Sequence, residues 1–225
     1  MGRHLTTGYS QLFDFLDNLA VNNDRQWFAE NRQLYDCLRK QWLADLQTLI
    51  GHMAQSEPAL RHTDAASCAY RIYRDIRFSH DKSPFKTYFS ALISPHGRHT
   101  DRACWYLHMG ADECGIYGGL WNPPGPMLRK VRQAVVDNVD EFRQIIAPPP
   151  LPELYPEWYG AQLKTVPKGF DRNHPDADLL RLKEYGRCHS LSRGFFDNSE
   201  WPGELAGIAM TLKPMIDFLN YSIDE

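Results

Sequence analysis

The chain has 225 residues and a mass of 26.0 kDa, enough to bury a substantial core as one large domain or two small ones. Hydrophobic residues make up 43% and charged residues 24%, which excludes wholesale disorder. A formal net charge of −3 and a pI near 6.3 exclude the diffuse positive field of a general nucleic-acid or membrane-surface binder.

In chain order, "YSQLFDFLDNLAV" carries Leu12, Phe13, Leu16 and Leu19 at helical spacing. The helix stops at Asn22-Asn23-Asp24, where short polar side chains favour a turn and then an N-cap. A second helix follows with the stripe Trp27, Phe28, Leu34, Tyr35, Leu38, Trp42, Leu46 and Leu49, and Asn31 falls within it. A buried Asn31 amide needs partners, so it is a structural tie or a site residue. From about residue 68 the period changes to two: "CAYRIYRDIRF", "TYFSALISP", "ACWYLHM" and "CGIYGGLW" read as a four-stranded meander, antiparallel because its connections are too short for crossovers. A helix begins near Pro126, with Met127, Leu128, Val131, Val135, Val139 and Phe142 on its apolar face. "PPPLPELYPEW" reads as an extended connector, and residues 147–158 are the place for a sub-boundary in what is otherwise one domain. A short helix around Asp176–Tyr185 and a terminal helix around Pro202–Asn220, kinked at Pro214, complete the chain.

The five cysteines (Cys37, Cys68, Cys104, Cys114 and Cys188) form no C-x-x-C pair, so neither a disulfide framework nor a zinc knuckle is expected, and a cytoplasmic setting fits. No apolar run approaches the ~20 residues that span a bilayer, so no membrane partner is expected. The N-terminus lacks a signal-peptide core, and "MGRHLT" meets an acylation pattern too short and common to carry weight.

The densest chemistry lies in "RIYRDIRFSHDKSPFK". Arg71, Arg74, Arg77, Lys82 and Lys86 stand there against only Asp75 and Asp81, a local +3 that leaves −6 for the remainder. Read as a strand, Ile72, Arg74, Ile76 and Phe78 share one face, and Arg71, Tyr73, Asp75 and Arg77 the other. Arg74 then needs an anionic partner: Asp75, Asp81, Asp171, Asp178 or a ligand phosphate or carboxylate held bidentately. An Arg–Asp network that pins the strand to the helices is the competing reading.

Arg-x-x-Arg-Asp-x-Arg-Phe-x-x-Asp-Lys (Arg71, Arg74, Asp75, Arg77, Phe78, Asp81, Lys82) resembles the hallmark of the DUF2461 family, a bacterial and fungal group of about this length. "NNDRQWFAENRQLY", "GGLWNPPGPMLRKVRQAV", "LKTVPKGFDRNHPDADLLRLK" and "KPMIDFLN" are similar to four further family segments in the same order. The resemblance covers nearly the whole chain and brings no activity or catalytic residues with it. The family usually places Tyr after Asp-Lys-x-Pro, where this chain has Phe85, which cannot exchange a proton.

Other motifs are weaker. Gly118 and Gly119, at a strand end before a helix, permit close approach of a backbone or a ligand. "VPKGFDRNHP" sets Lys164, Lys168 and His174 around a turn whose N–H groups suit an anion, although an ordinary exposed turn explains it as well. His96, His99, Asp101, Cys104 and His108 fit no familiar metal signature, so no metal site is expected, and no cofactor is indicated. No nucleophile elbow or zincin motif is present.

The expected fold is therefore α+β: a central, mostly antiparallel sheet flanked by helices, with an N-terminal helical pair. The expected partner is an anionic small molecule bound by Arg71, Arg74, Arg77, Lys82 and Lys86, with Asn31, Gly118, Gly119 and Lys168 contributing. Asp75 or Asp81 would be the general base if there is catalysis, although a carboxylate between cations is a weak one. The alternatives are a non-catalytic module for a nucleic-acid backbone or a protein, and a purely structural Arg–Asp network.

Overall fold

The computed structural model describes residues 9–225, so the N-terminal acylation pattern lies outside the described residues. Helix α1 (Ser10–Val21) buries Leu12, Phe13, Leu16 and Leu19. The Asp24 side chain then accepts hydrogen bonds from the N–H groups of Gln26 and Trp27 and starts α2 (Arg25–Glu30), as its place in the sequence leads one to expect. The long helix expected here is two. At Asn31 the backbone leaves helical geometry, its side-chain amide donates to the Trp27 carbonyl, and α3 (Arg32–Met53) begins. A single turn, α4 (Ala65–Cys68), leads into the sheet.

The fold is α+β with an antiparallel five-stranded sheet, in the order β1 (Tyr88–Ile93), β2 (Cys104–Gly110), β3 (Cys114–Leu120), β5 (Tyr185–Leu191) and β4 (Trp158–Tyr159). Three of the four expected strands are present. The stretch at 71–78 is not a strand: the limb from Ala69 meets 85–91 at the isolated bridges Ala69↔Ala91 and Tyr73↔Phe85. Four steps separate the bridged residues on one side and six on the other, and Pro84 has no N–H to give, so no continuous ladder forms. The alternation of faces lapses with it. Ile72 is buried while Phe78 is 94% exposed.

After the sheet, the helix from Gly125 breaks at Asn138 into α5 (Gly125–Asp137) and α6 (Val139–Ile146). The proline-rich connector contains one helical turn, α7 (Leu151–Leu154), before β4, and α8 (Ala177–Arg181) precedes β5. The terminal helix is also two, α9 (Trp201–Met210) and α10 (Lys213–Asp224), with Pro214 in the first turn of the second, where its missing N–H costs nothing.

The described chain resolves into two compact units, residues 9–99, 106–116 and 190–207 in one and 100–105, 117–189 and 208–225 in the other; the connector 147–158 lies inside the second. In the first unit α3 buries Trp42, whose indole N–H donates to the Met109 sulfur at 3.2 Å while its ring lies 5.3 Å from Phe89. Complete burial of such a side chain contributes about 1.5–3 kcal/mol. In the second unit Phe142 packs 4.8 Å from Phe218 and 6.3 Å from both Trp158 and Tyr185. Gly118 faces Leu212 and Ile216, and Gly119, with φ +135°, lets the Tyr185–Gly186 backbone come closer than any Cβ would allow.

A cationic cleft with an aromatic floor

The basic stretch is held by two local devices. The Asn23 side chain accepts from the Phe85 N–H at 3.1 Å and donates to the Phe85 carbonyl at 3.0 Å, which ties the α1–α2 turn to the stretch. Main-chain bonds from Arg74 N to Pro84 O (2.9 Å) and from Lys86 N to Ile72 O (2.7 Å) close the two limbs on each other.

Asp81 takes Arg74. The guanidinium pairs with its carboxylate and also donates to the Ser83 carbonyl at 3.2 Å and to Ser79 Oγ at 3.4 Å. Arg77 pairs with Asp75, its Nη2 2.7 Å from Oδ2. Lys82 donates to the Ile76 carbonyl at 3.1 Å, and Arg71 makes no hydrogen bond or ion pair among the described residues. The Ser83 N–H and hydroxyl, joined by Arg74, hold Asp81 at about 2, and the Arg77 guanidinium and N–H hold Asp75 at about 2. Both carboxylates are therefore fully ionised near neutral pH and poorly suited to take up a proton.

A cleft of about 480 Å³ opens beside this stretch, wholly within the first unit. Its floor is the ring cluster Phe28, Tyr73 and Phe85: Phe28 and Phe85 stack at 4.0 Å, and Tyr73 lies 6.0 Å and 5.3 Å from them. Arg25, Arg32 and Arg74 line it, and no carboxylate does. Arg32 donates through Nε to both oxygens of Asp36 at 2.9 Å, outside the lining, and reaches the Tyr73 hydroxyl at 3.5 Å. Arg25 has no partner among the described residues.

Of the residues expected from the sequence to bind a ligand, only Arg74 lines this cleft. Arg71, Arg77, Lys82 and Lys86 belong to the same stretch but not to the lining. Asn31 borders a separate concavity of about 440 Å³ with Gln11, Asp14 and Trp27. Gly118, Gly119 and Lys168 belong to the second unit, where the close neighbours of the two glycines are Leu212, Ile216 and the β5 backbone. A groove of about 550 Å³ in that unit carries Glu141, Asp217 and Glu225 and no cation, the wrong sign for an anion. Arg25 and Arg32 were missed, yet they have a signal: Arg25, Phe28, Ala29 and Arg32 fall at i, i+3, i+4 and i+7. Among the described residues no group of three His, Cys, Asp or Glu side chains is placed to hold a metal, and no helix is long and apolar enough to cross a membrane.

A family profile described as "Conserved hypothetical protein (DUF2461)" matches residues 11–218. No curated protein matches the chain, and no solved structure does.

Proposed function

The chain belongs to the DUF2461 family, and we propose that it binds an anionic small molecule with an aromatic or apolar portion in the cleft of the first unit. The observation that carries this reading is the lining: three guanidiniums and no carboxylate around a floor of three rings. Guanidiniums engage carboxylate or phosphate oxygens bidentately, and an apolar portion would displace water from Phe28, Tyr73 and Phe85. Arg25, with no partner to give up, is the residue best placed to take a ligand charge. Asp81 orients Arg74, and neither Asp81 nor Asp75 acts as a base in this reading. Five free thiols support a cytoplasmic setting.

Phenyl phosphate and inorganic phosphate, tested by thermal shift, separate the parts of the proposal. At about 100 times its Kd, phenyl phosphate adds about 2.7 kcal/mol of stability, inorganic phosphate shifts the midpoint less, and Arg25→Ala abolishes the response while unfolding as the parent does. An unchanged phenyl phosphate response in Arg25→Ala and Arg74→Ala would sink the reading. A nucleic-acid backbone is the second reading, and Phe78 favours it: the ring is 94% exposed with the Arg77 guanidinium 5.8 Å from its centre, a surface on which a base could stack. Binding of a single-stranded oligonucleotide that weakens steeply with salt and is lost in Phe78→Ala would favour that reading over the cleft.

A further inference from the structure

A second group of chemistry-bearing side chains lies in the first unit and shares no residue with the cleft. Lys86 precedes β1, with Tyr88 and Ser90 at the alternate positions that follow it; Phe89, between them, is turned into the core beside Tyr35 and Trp42. Tyr106 and His108 occupy alternate positions of β2. The Lys86 ammonium lies 5.0 Å from the centre of the Tyr70 ring and 5.7 Å from that of Tyr88. The Tyr88 ring lies 4.4 Å from the His108 ring, and the Tyr106 hydroxyl is 3.3 Å from His108 Nδ1. Lys86, Tyr70, Tyr88, Tyr106 and His108 are each half-buried, neither sealed from solvent nor fully in it.

Lys86 shares with Arg71 alone, among the cations of its stretch, the lack of a polar partner, and unlike Arg71 it is half-buried. It has no carboxylate partner and no hydrogen-bond acceptor among the described residues, and the charge acting on it is the like charge of Arg71. An ammonium in that setting gains from the two ring faces but loses hydration. Burial, reinforced by Arg71, holds the amine below the usual lysine range. An ion-paired lysine would be a poor nucleophile, and this one is not ion-paired.

We propose that this cluster is a carbonyl-reactive amine site, at which Lys86 condenses reversibly with the carbonyl carbon of a small 2-oxo acid while Arg71 takes its carboxylate. The lone pair of the neutral amine forms the C–N bond, and the carbonyl π pair moves to oxygen, which takes up a proton. The resulting hydroxyl leaves as water when nitrogen forms the C=N bond and gives up its remaining proton. The step releases one water and needs no oxidant or reductant. Tyr106 and His108 supply the proton traffic. Burial pushes the Tyr106 phenol up to about 12, so it stays protonated and can donate, and burial lowers His108, so its ring is neutral and can accept. Ser90 hydrogen-bonds Tyr106 and fixes its hydroxyl.

The test is reductive trapping of the intact protein at pH 7 with glyoxylate and cyanoborohydride, followed by peptide mapping, with propanal as an uncharged comparison. Lys86 should be labelled ahead of the exposed lysines by about tenfold for each unit that its pKa lies below theirs. Arg71→Gln should slow labelling of Lys86 by glyoxylate and leave propanal unaffected. Labelling spread over the lysines in order of exposure, or an unlabelled Lys86, would overturn the site. Equal effects of Arg71→Gln on the two reagents would overturn the 2-oxo acid assignment. Labelling of Lys86 is read on the parent protein and is independent of the cleft, and undiminished propanal labelling of Lys86 in Arg71→Gln checks that this variant is folded.

Discussion

The basic stretch of the first unit and the two arginines inside the second carry the same charge under opposite conditions. At 71–86 the cations crowd together in the sequence, yet Arg77 and Arg74 reach their carboxylates through exposed pairs. Arg132, in the basic run Arg129-Lys130-Val131-Arg132, and Arg187, with no other fixed charge within two residues, are only 7% and 5% exposed and pair with no carboxylate among the described residues. Each donates to a backbone carbonyl instead, Arg132 to Leu182 at 2.6 Å and Arg187 to Tyr155 at 2.5 Å, and the Nε of each is buried without a partner. The Arg187 guanidinium also lies 4.1 Å from the centre of the Trp158 ring, and burial alone lowers it to about 10. The difference shows that burial, and not charge density along the sequence, marks the cations most consequential for stability: Arg132 stands in a basic run as Arg74 does, yet it is enclosed without a counter-charge among the described residues.

The comparison breaks most visibly at Arg187. Arg187→Ala leaves the Tyr155 carbonyl unpaired beside a cavity and should cost about 2–4 kcal/mol in urea unfolding. Arg187→Met keeps most of the packing and should cost less, about 1–3 kcal/mol for the orphaned carbonyl alone. If Arg187→Met were as stable as the parent, the buried charge would be of no use to the fold. On the exposed side, Arg74→Ala should cost about 1 kcal/mol, the upper range for a surface pair, because bonds to Ser79 and Ser83 go with it. Arg77→Ala should lower the unfolding midpoint less than Arg74→Ala does, and a fall as large as that of Arg187→Ala would erase the contrast.

Acid sharpens the same point. Asp75 and Asp81 sit at about 2 in the folded chain, against 3.8 for a free aspartate. A carboxylate lowered on folding stabilises above its unfolded pKa and loses that contribution as pH falls through its folded one. Their contribution should therefore be intact at neutral pH and disappear between about 4 and about 2. The Asp75→Asn, Asp81→Asn double variant should flatten the acid limb of the stability profile in that window and leave the neutral plateau's slope unchanged.

Much of the scaffold is legible in the residues. Leu12 to Leu19 and the Asp24 cap place the first helices, and the alternation in "TYFSALI" and "ACWYLHM" places two strands. Where reading failed, the missing information was in pairing. Nothing in "RIYRDIRF" discloses that its partner limb is two residues too long for a ladder. "YGRCHSL" lacks apolar alternation, and its strand character comes from the strands on either side of it. The cleft was half visible: Arg74 and its stretch were evident, while Arg25 and Arg32 needed the face of a helix broken at Asn31. The Lys86 cluster could not be read at all, because strand pairing alone brings Tyr70, Tyr106 and His108 to it.

The Asn23 clamp has a consequence in time as well as in space. By satisfying both main-chain groups of Phe85, a single side chain does there what a neighbouring strand would do, across 62 residues of sequence. Exchange of the Phe85 amide with solvent must then wait for the α1–α2 turn to let go, because the loop cannot release that proton alone. The backbone that carries a ring at the base of the cleft is thus held by a turn residue outside the cleft's own lining.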